Sequence, residues 1–585
     1  MLSLLLASLL GADTTAVIRI NQVGYLPDAP KVAVVCSLTD SSRRPATFVV
    51  RDSSGRVVLG PARAQPAGGF GPCAGTWRLD FSKVRRAGFY EIQSGVIRSP
   101  RIRVGGNVYA GATDTLLMYM RQQRSGFNPF FRDSVHRRDG NVIDSAGHVV
   151  KFLPVSGGWA DASDYLQYVA TSATATYHML AAFRDHSRAF SDLYDSRGLP
   201  GKNGTPDAVD EARHGLEWLL RMFPSDTELY NQLGDDRDHT YLDLPTTDSS
   251  DYGWGKGKER PVYRCTGRPQ GIFQYTNRST GLASTAGKFA SAFAIGAQVL
   301  GDRRDSIARV LRTKAIAAYE AGKASPGVCQ TAPGRAPYFY EEDNWADDME
   351  LAAAELFALT HDERYLNDAR RFAAMEPVTP WMGADTAKHY QWYPWYNAGH
   401  FALWERGSAL DKRTASADYR RGLEAVSKRA SNGFRVGIPF IWCSNDLMVS
   451  LASQALLYRR MTADTRFREL EQAAIDWLFG TNPWGVSMVV GYPRAGQWPH
   501  DPHSVVAMQL GPEAITGGLV DGPVYRSIYA NLRGIALRHD DALAAFNTGF
   551  IVYHDDLGDY STNEPIMDGT ASLIYLIAAM SGGSR

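Results

Sequence analysis

Four stretches of this 585-residue chain gather side chains that can do chemistry. The first runs Gly157-Gly158-Trp159-Ala160-Asp161-Ala162-Ser163-Asp164-Tyr165-Leu166-Gln167-Tyr168. Two carboxyls three residues apart, where a loop enters a helix, can face the same way near the positive end of the helix dipole. Such a pair can hold one water molecule and draw a proton from it. The plainer reading of that spacing is an N-cap with an acidic first turn. The second stretch, Tyr553 to Pro565, packs acidic, aromatic and amide residues before a final helical segment. Glu564 precedes a proline, so its backbone is extended and can aim a carboxyl into a cleft. The third runs from Asn482 to Tyr492 and on through His500 and His503, where glycines and imidazoles can approach a ligand. The fourth, His389 to Asn397, holds Trp392, Trp395 and Tyr396 in a proline-broken run. Aromatic faces stack on flat apolar faces, and the CH face of a pyranose is one. Packing between helices is the rival reading there.

The elements that must position these groups fall into two textures. Residues 17 to 105 alternate short β-branched and aromatic runs with turn signals such as Leu26-Pro27-Asp28 and Asp52-Ser53-Ser54-Gly55. About seven short strands predict a small β-sandwich. From Val108 onward apolar residues recur at helical spacing. Segments such as 165–183, 207–222, 284–300, 305–321, 347–359, 363–374, 446–461 and 466–479 follow that rule. Long Gly/Pro/aromatic loops separate them, including 233–280 and 378–397, and loops of that length inside a compact domain are usually functional. A dozen or so helices with elaborate loops at one end describe an α/α barrel.

Lys and Arg number 62, and so do Asp and Glu. Zero formal charge argues against a nucleic-acid partner, which needs a basic footprint. Apolar residues at 44% and charged residues at 21% exclude disorder. Met1 to Ala12 resembles the apolar core and cleavage region of a signal peptide, which predicts a secreted or periplasmic protein. No later stretch approaches the apolar length of a transmembrane helix. Cys36, Cys73, Cys265, Cys329 and Cys443 show no CxxC spacing, which weighs against a zinc cluster. In an exported protein Cys36–Cys73 and Cys265–Cys329 can be disulfides, though sequence leaves the pairing open.

Together these residues resemble glycoside hydrolase family 9, an inverting cellulase family, over nearly the full length. Arg19-Ile20-Asn21-Gln22-Val23-Gly24-Tyr25 is typical of the immunoglobulin-like module that precedes the catalytic domain in one branch. GGWADASDYLQY resembles the family signature GGWxDAGDxxKY, with Ser163 for Gly and Gln167 for Lys. Asp210 to Met222 matches a family helix. Gly517 to Pro523 matches a GALVGGP element, with Asp521 for Gly, and Asp559 to Glu564 matches the terminal acidic motif. The resemblance implies a signal peptide over 1–15, an immunoglobulin-like β-sandwich over 16–106 and an (α/α)6 barrel over 107–585. It implies Asp164 as general base, Asp161 as the partner that holds the water, and Glu564 as general acid. His136, Trp392, Trp395, Tyr396, His503 and Tyr560 are expected to face a β-glucan substrate. Glu564 must keep its proton near neutral pH, so desolvation or nearby carboxylates are expected to raise its pKa, with Asp555, Asp556 and Asp559 as expected sources of the repulsion.

Three departures from the family pattern stand out. His503 is followed by Ser504 where Arg is usual, which puts the preferred substrate in question. Thr285-Ala286 is followed by Gly287-Lys288 where the family's calcium-binding helix usually carries an acid, and a lysine is a poor neighbour for calcium. Val135 precedes His136 where zinc-binding members carry Cys, so no zinc is predicted. No cofactor is required by the chemistry, calcium is possible at an altered site, and a monomer is expected. The main expectation is an endo-acting β-1,4-glucanase. Rivals are an exo-acting glucosidase, glucosaminidase or xyloglucanase on the same scaffold, a terpene cyclase using the DxxD spacing, and a non-catalytic carbohydrate binder.

Overall fold

The computed structural model describes residues 15–39, 46–240, 243–337, 340–384 and 397–581. The signal-like run before Thr15 lies outside the described residues, as do Trp392, Trp395 and Tyr396. The amino-terminal module pairs two antiparallel sheets. One has the order β1-β2-β6-β5, built from β1 (Ala16–Arg19), β2 (Val32–Ser37), β5 (Gln65–Pro66) and β6 (Gly75–Asp80). The other runs β4-β3-β7-β8, with β9 on β7. Its strands are β3 (Thr47–Asp52), β4 (Val57–Arg63), β7 (Gly88–Ser94), β8 (Ile97–Arg98) and β9 (Ile102–Val104). Inward-facing Val35, Leu79, Phe48, Val50, Ile92 and Ile102 form its core. Nine strands stand where about seven were expected. The additions, β5 and β8, are two residues each, too short for an alternating pattern to register.

Twelve helices of nine residues or more follow among the described residues. They are α1 (Ala112–Gln122), α2 (Val169–His186), α3 (Asp207–Met222), α4 (Ala283–Asp302), α5 (Ile307–Ala324) and α6 (Ala346–Thr360). Then come α7 (Glu363–Ala373), α8 (Ala398–Arg406), α9 (Ala409–Arg429), α10 (Ser444–Thr462), α11 (Arg468–Leu478) and α12 (Met567–Ser581). The even-numbered helices touch in series, α2 to α4, α6, α8, α10 and α12, and α12 returns to α2. Each odd-numbered helix packs outside an even one: α3 on α2, α5 on α4, α7 on α6, α9 on α8, α11 on α10 and α1 on α12. Sequence dictates this sorting. Helix α4 is rich in Ala and Phe and is buried almost all round. Helix α5 buries only Leu311, Ala315, Ala318, Tyr319 and Gly322, a stripe at helical spacing with charge on its outer face. No described helix is long and apolar enough to cross a membrane.

Two disulfides are formed, Cys36–Cys73 and Cys265–Cys329, and Cys443 is a buried free thiol. The segment expected to be helical from Tyr165 starts its helix only at Val169. Gln167 and Tyr168 instead pair as a short strand with Leu233 and Gln232. The Asp161–Asp164 pair therefore lies in a loop before the helix and not in its first turn. The Asp161–Asp164 loop leads into a five-stranded sheet drawn from residues 141–168 and 230–264.

Candidate active site

The Gly157–Tyr168 loop is stitched to the end of α1. Ser125 N donates to Gly158 O (2.8 Å) and Ala160 N to Gln123 O (2.9 Å). Gly158 adopts φ +75°, and a Cβ there would lie 2.7 Å from the Trp218 ring and from Gln167 Nε2, so only glycine fits. Inside this frame the chain makes a tight reversal: Asp161 N donates to Leu166 O (2.9 Å) and Leu166 N to Asp164 Oδ1 (3.0 Å). That reversal, rather than a helix turn, places the two carboxyls.

The two aspartates have different surroundings. Asp161 is buried, and its carboxylate accepts from Thr171 Oγ1 and from the Tyr340 hydroxyl. Burial, with Asp568 and Asp164 nearby, pushes its pKa well up. Asp164 is partly exposed, and its Oδ2 lies 3.3 Å from His239 Nε2. The other ring nitrogen of His239 is 3.1 Å from Asp238 Oδ1. Burial opposes charge on His239, but the bonds to Asp164 and Asp238 outweigh it and raise its pKa well above the usual value. A cationic imidazole therefore faces the Asp164 carboxyl.

Glu564 enters from the other side. Strand pairing of Pro565–Ile566 with Leu519–Val520 keeps its backbone extended. Glu564 O accepts from Asp521 N (2.9 Å), and Oε1 accepts from Ser163 N (3.1 Å) and from the Ser163 hydroxyl. Ser163, the residue before Asp164, thus ties the aspartate loop to Glu564. Burial comes first in raising the Glu564 pKa, and Asp164 raises it further while His503 lowers it. The expected sources of repulsion need correcting. Asp555 accepts from His500 N and Asp501 N, Asp556 from Arg538 N and His539 N, and Asp559 from Ser561 and Thr562. Those three shape the loop, and the carboxyls that crowd Glu564 are Asp164 and Asp521.

Of the expected substrate-facing residues, His503 and Tyr560 lie beside Glu564. His503 Nδ1 is 2.5 Å from Leu557 O, and its ring centroid is 6.1 Å from that of Tyr560. Tyr560 packs on Trp442 at 5.4 Å, so an aromatic face borders the acid. His136 stands apart. It packs on Tyr165 at 5.2 Å, with Nε2 at Asp248 (3.0 Å) and Nδ1 at Ser125 Oγ (3.3 Å), so both ring nitrogens are engaged within the protein. Ser504, in the place of the usual Arg, caps a short helix by accepting from Ala507 N at 3.3 Å.

Sequence reading missed Asp238, His239, Tyr340, Thr171 and Trp442. The long 233–280 loop was flagged, but nothing in its spacing points to residue 239 as the neighbour of Asp164. It also missed a buried row of acids behind the site, in which Asp446, Asp568 and Asp521 are all pushed up by burial, Asp568 to about 6. One group of described residues, Asp501, His539 and Asp556, brings its potential metal-ligand atoms within 4.8 Å of one another. These atoms already bond one another and nearby main-chain N–H groups.

A buried carboxyl whose pKa is raised, close to a second, partly exposed carboxyl that faces an imidazole, is equipment suited to acid–base hydrolysis. The chain belongs to glycosyl hydrolase family 9, whose model matches residues 109–577, and a cellulase N-terminal ig-like domain matches residues 13–99. Endoglucanase C of Cellulomonas fimi is 26% identical across 96% of this chain, which spans 52% of that relative's length. Endoglucanase D of Acetivibrio thermocellus is 24% identical, covering 92% of this chain and 84% of the relative. The crystal structure of a metagenome-derived glycoside hydrolase family 9 endoglucanase superposes with a TM-score of 0.74 at 25% identity, covering 97% of this chain and 99% of that one.

Proposed function

We propose that this chain hydrolyses β-1,4-glucosidic bonds of cellulose or a related β-glucan with inversion at the anomeric carbon. The observation that carries this reading is the Ser163 bridge. Its main-chain N–H and hydroxyl hold the buried Glu564, whose pKa burial raises, beside the loop that carries the partly exposed Asp164, which His239 faces. Water held by Asp164 and Asp161 attacks the anomeric carbon, and Asp164 accepts its proton. Glu564 gives its proton to the departing glycosidic oxygen, so one proton enters and one leaves the site per turnover. Inversion needs about 6.5–9.5 Å between the two carboxyls to admit that water.

The series of even-numbered helices closed by α12 on α2, with odd-numbered helices outside, supports an (α/α)6 barrel over 107–585 behind an immunoglobulin-like module over 16–106. His503 and Tyr560 flank the leaving-group side, and Trp392, Trp395 and Tyr396 serve as further sugar platforms. His136 acts from a distance through Tyr165. Two disulfides suit export. A monomer acting on polysaccharide alone is the working state.

The test is product analysis on carboxymethyl cellulose, mixed-linkage β-glucan, xyloglucan, cello-oligosaccharides and chitosan oligomers. Falling viscosity with mixed oligomers is expected, and Glu564→Gln should cost about 10²–10⁴ in rate. Release of one monosaccharide from chain ends would replace the endo-glucanase reading. No hydrolysis by the wild type would sink the catalytic reading altogether.

A further inference from the structure

The family resemblance implies calcium on the helix that here carries Gly287-Lys288, and the residues present do not fit it. Lys288, in α4, is buried with its ammonium inside a group of acids from the Glu342–Asp348 segment. Nζ lies 2.5 Å from Glu342 Oε1 and 2.7 Å from Asp348 Oδ1. Asp347 and Glu376 complete the group, tied together by Asn344, which donates to Asp347 Oδ1 at 3.0 Å and to Glu376.

Calcium takes six to eight oxygens at about 2.3–2.6 Å. The ammonium already bonds two of the acids that would supply them. A second cation beside it in a dry site meets strong repulsion. We propose that the Lys288 ammonium is the resident cation of this carboxylate cage, so that the chain braces the Glu342–Asp348 segment without calcium.

Local packing shows the cage is built for this amine. A Cβ on Gly287 would sit 2.8 Å from Asp348 backbone atoms, so the glycine lets α4 press directly on the start of α6 and delivers the next side chain into the acids. Burial lowers the Lys288 pKa, but Asp348 and Glu342 outweigh it and the net shift is upward, so the amine stays charged. Burial, only partly relieved by Lys288, raises Asp347 to about 6 and Asp348 well above its usual range. Glu376 rises to about 11 through burial and then Asp347. One ammonium, bonded to Glu342 and Asp348, thus occupies the place among the acids that a divalent ion would need.

The cage also has a consequence at the active site. Glu342 O accepts from Gln330 Nε2 at 2.7 Å, and two residues earlier Tyr340 donates to Asp161. The amine thus anchors Glu342, two residues along the chain from Tyr340.

The experiment is thermal unfolding of the full chain in EDTA and in calcium, for wild type, Lys288→Ala and Asp348→Asn. The wild-type Tm should be the same in both buffers. Lys288→Ala should unfold roughly 2–4 °C lower in EDTA and regain much of that loss on adding calcium, because the acids are then free to ligate it. A wild-type Tm that rises with calcium and loses the rise in Asp348→Asn would overturn the proposal. So would a Lys288→Ala protein as stable as wild type in EDTA. Should that variant not fold, calcium titration calorimetry on wild type and Asp348→Asn decides. Identical heats support the proposal, and binding present only in the wild type refutes it.

Discussion

Glu564 illustrates what a residue type can and cannot disclose. A glutamate before a proline announced an extended backbone, and the strand pairing of Pro565–Ile566 provides it. What sets its protonation was not legible, because the groups around it come from distant parts of the chain. Asp521 stands where the family pattern has glycine, and its carboxyl is fully buried, accepting from the Cys443 thiol and Trp442 Nε1 at 3.2 Å each. Burial and Glu564 both push Asp521 upward. Two buried carboxyls in each other's field titrate as a pair, so losing one relieves the other. Asp521→Asn is therefore expected to lower the Glu564 pKa and move the alkaline limb of the kcat/KM profile down by up to about one pH unit. The profile of wild type against variant measures this, and coincident alkaline limbs would show that Asp521 does not act on the acid.

Elements place these residues, and here periodicity read well for long segments and poorly at their ends. Ser444–Thr462 was expected at 446–461 because apolar spacing over five turns leaves no other reading. The Tyr165–Tyr168 run carries similar apolar residues but is extended. Main-chain pairing with Gln232–Leu233 won over local propensity, and no local pattern reveals a partner some 65 residues away. The same limit hid the 330–342 segment. Tyr340 N donates to Thr331 Oγ1 at 3.0 Å, the ring packs on Tyr168 at 4.4 Å, and the hydroxyl ends on Asp161. Tyr340→Phe keeps the ring packing and removes one donor to a carboxylate. A hydrogen bond typically contributes about 0.5–1.5 kcal/mol, which corresponds to a loss of roughly 2–10-fold in kcat. Steady-state kinetics with a matched Tm would support this, whereas unchanged kcat would remove Tyr340 from the proposed water-holding assembly.

At the scale of the whole molecule, several of the residues that join the two modules lie in the Arg19–Tyr25 run that the sequence displayed only as a family mark. Arg19 reaches Pro483 O at 2.6 Å and stacks on Phe546, and Gln22 Oε1 accepts from Gln497 N at 2.7 Å. Phe70 inserts among Phe434, Phe440, Trp477 and Phe550 of the helical domain. At the centre Asn21 Nδ2 donates to Tyr109 OH at 3.1 Å and to Asp476 Oδ1 at 2.9 Å. Burial pushes Asp476 up to about 7, although Asn21 and Gln472 pull it down. A carboxyl whose folded pKa lies above its unfolded value near 3.8 favours folding in its protonated form. That contribution is complete below about pH 4, falls as pH rises, and is gone above about pH 7. Asp476→Asn keeps an oxygen for Asn21 and Gln472 but cannot ionise. The variant should therefore gain Tm relative to wild type between pH 5 and pH 8, with the gain levelling off above neutrality. Parallel Tm curves across that range would mean that Asp476 ionises without cost and that the joint is insensitive to pH. Because Asn21 ties the β-module to this carboxyl, Asn21→Ala should lower Tm at every pH and raise the Asp476 pKa further, steepening the fall.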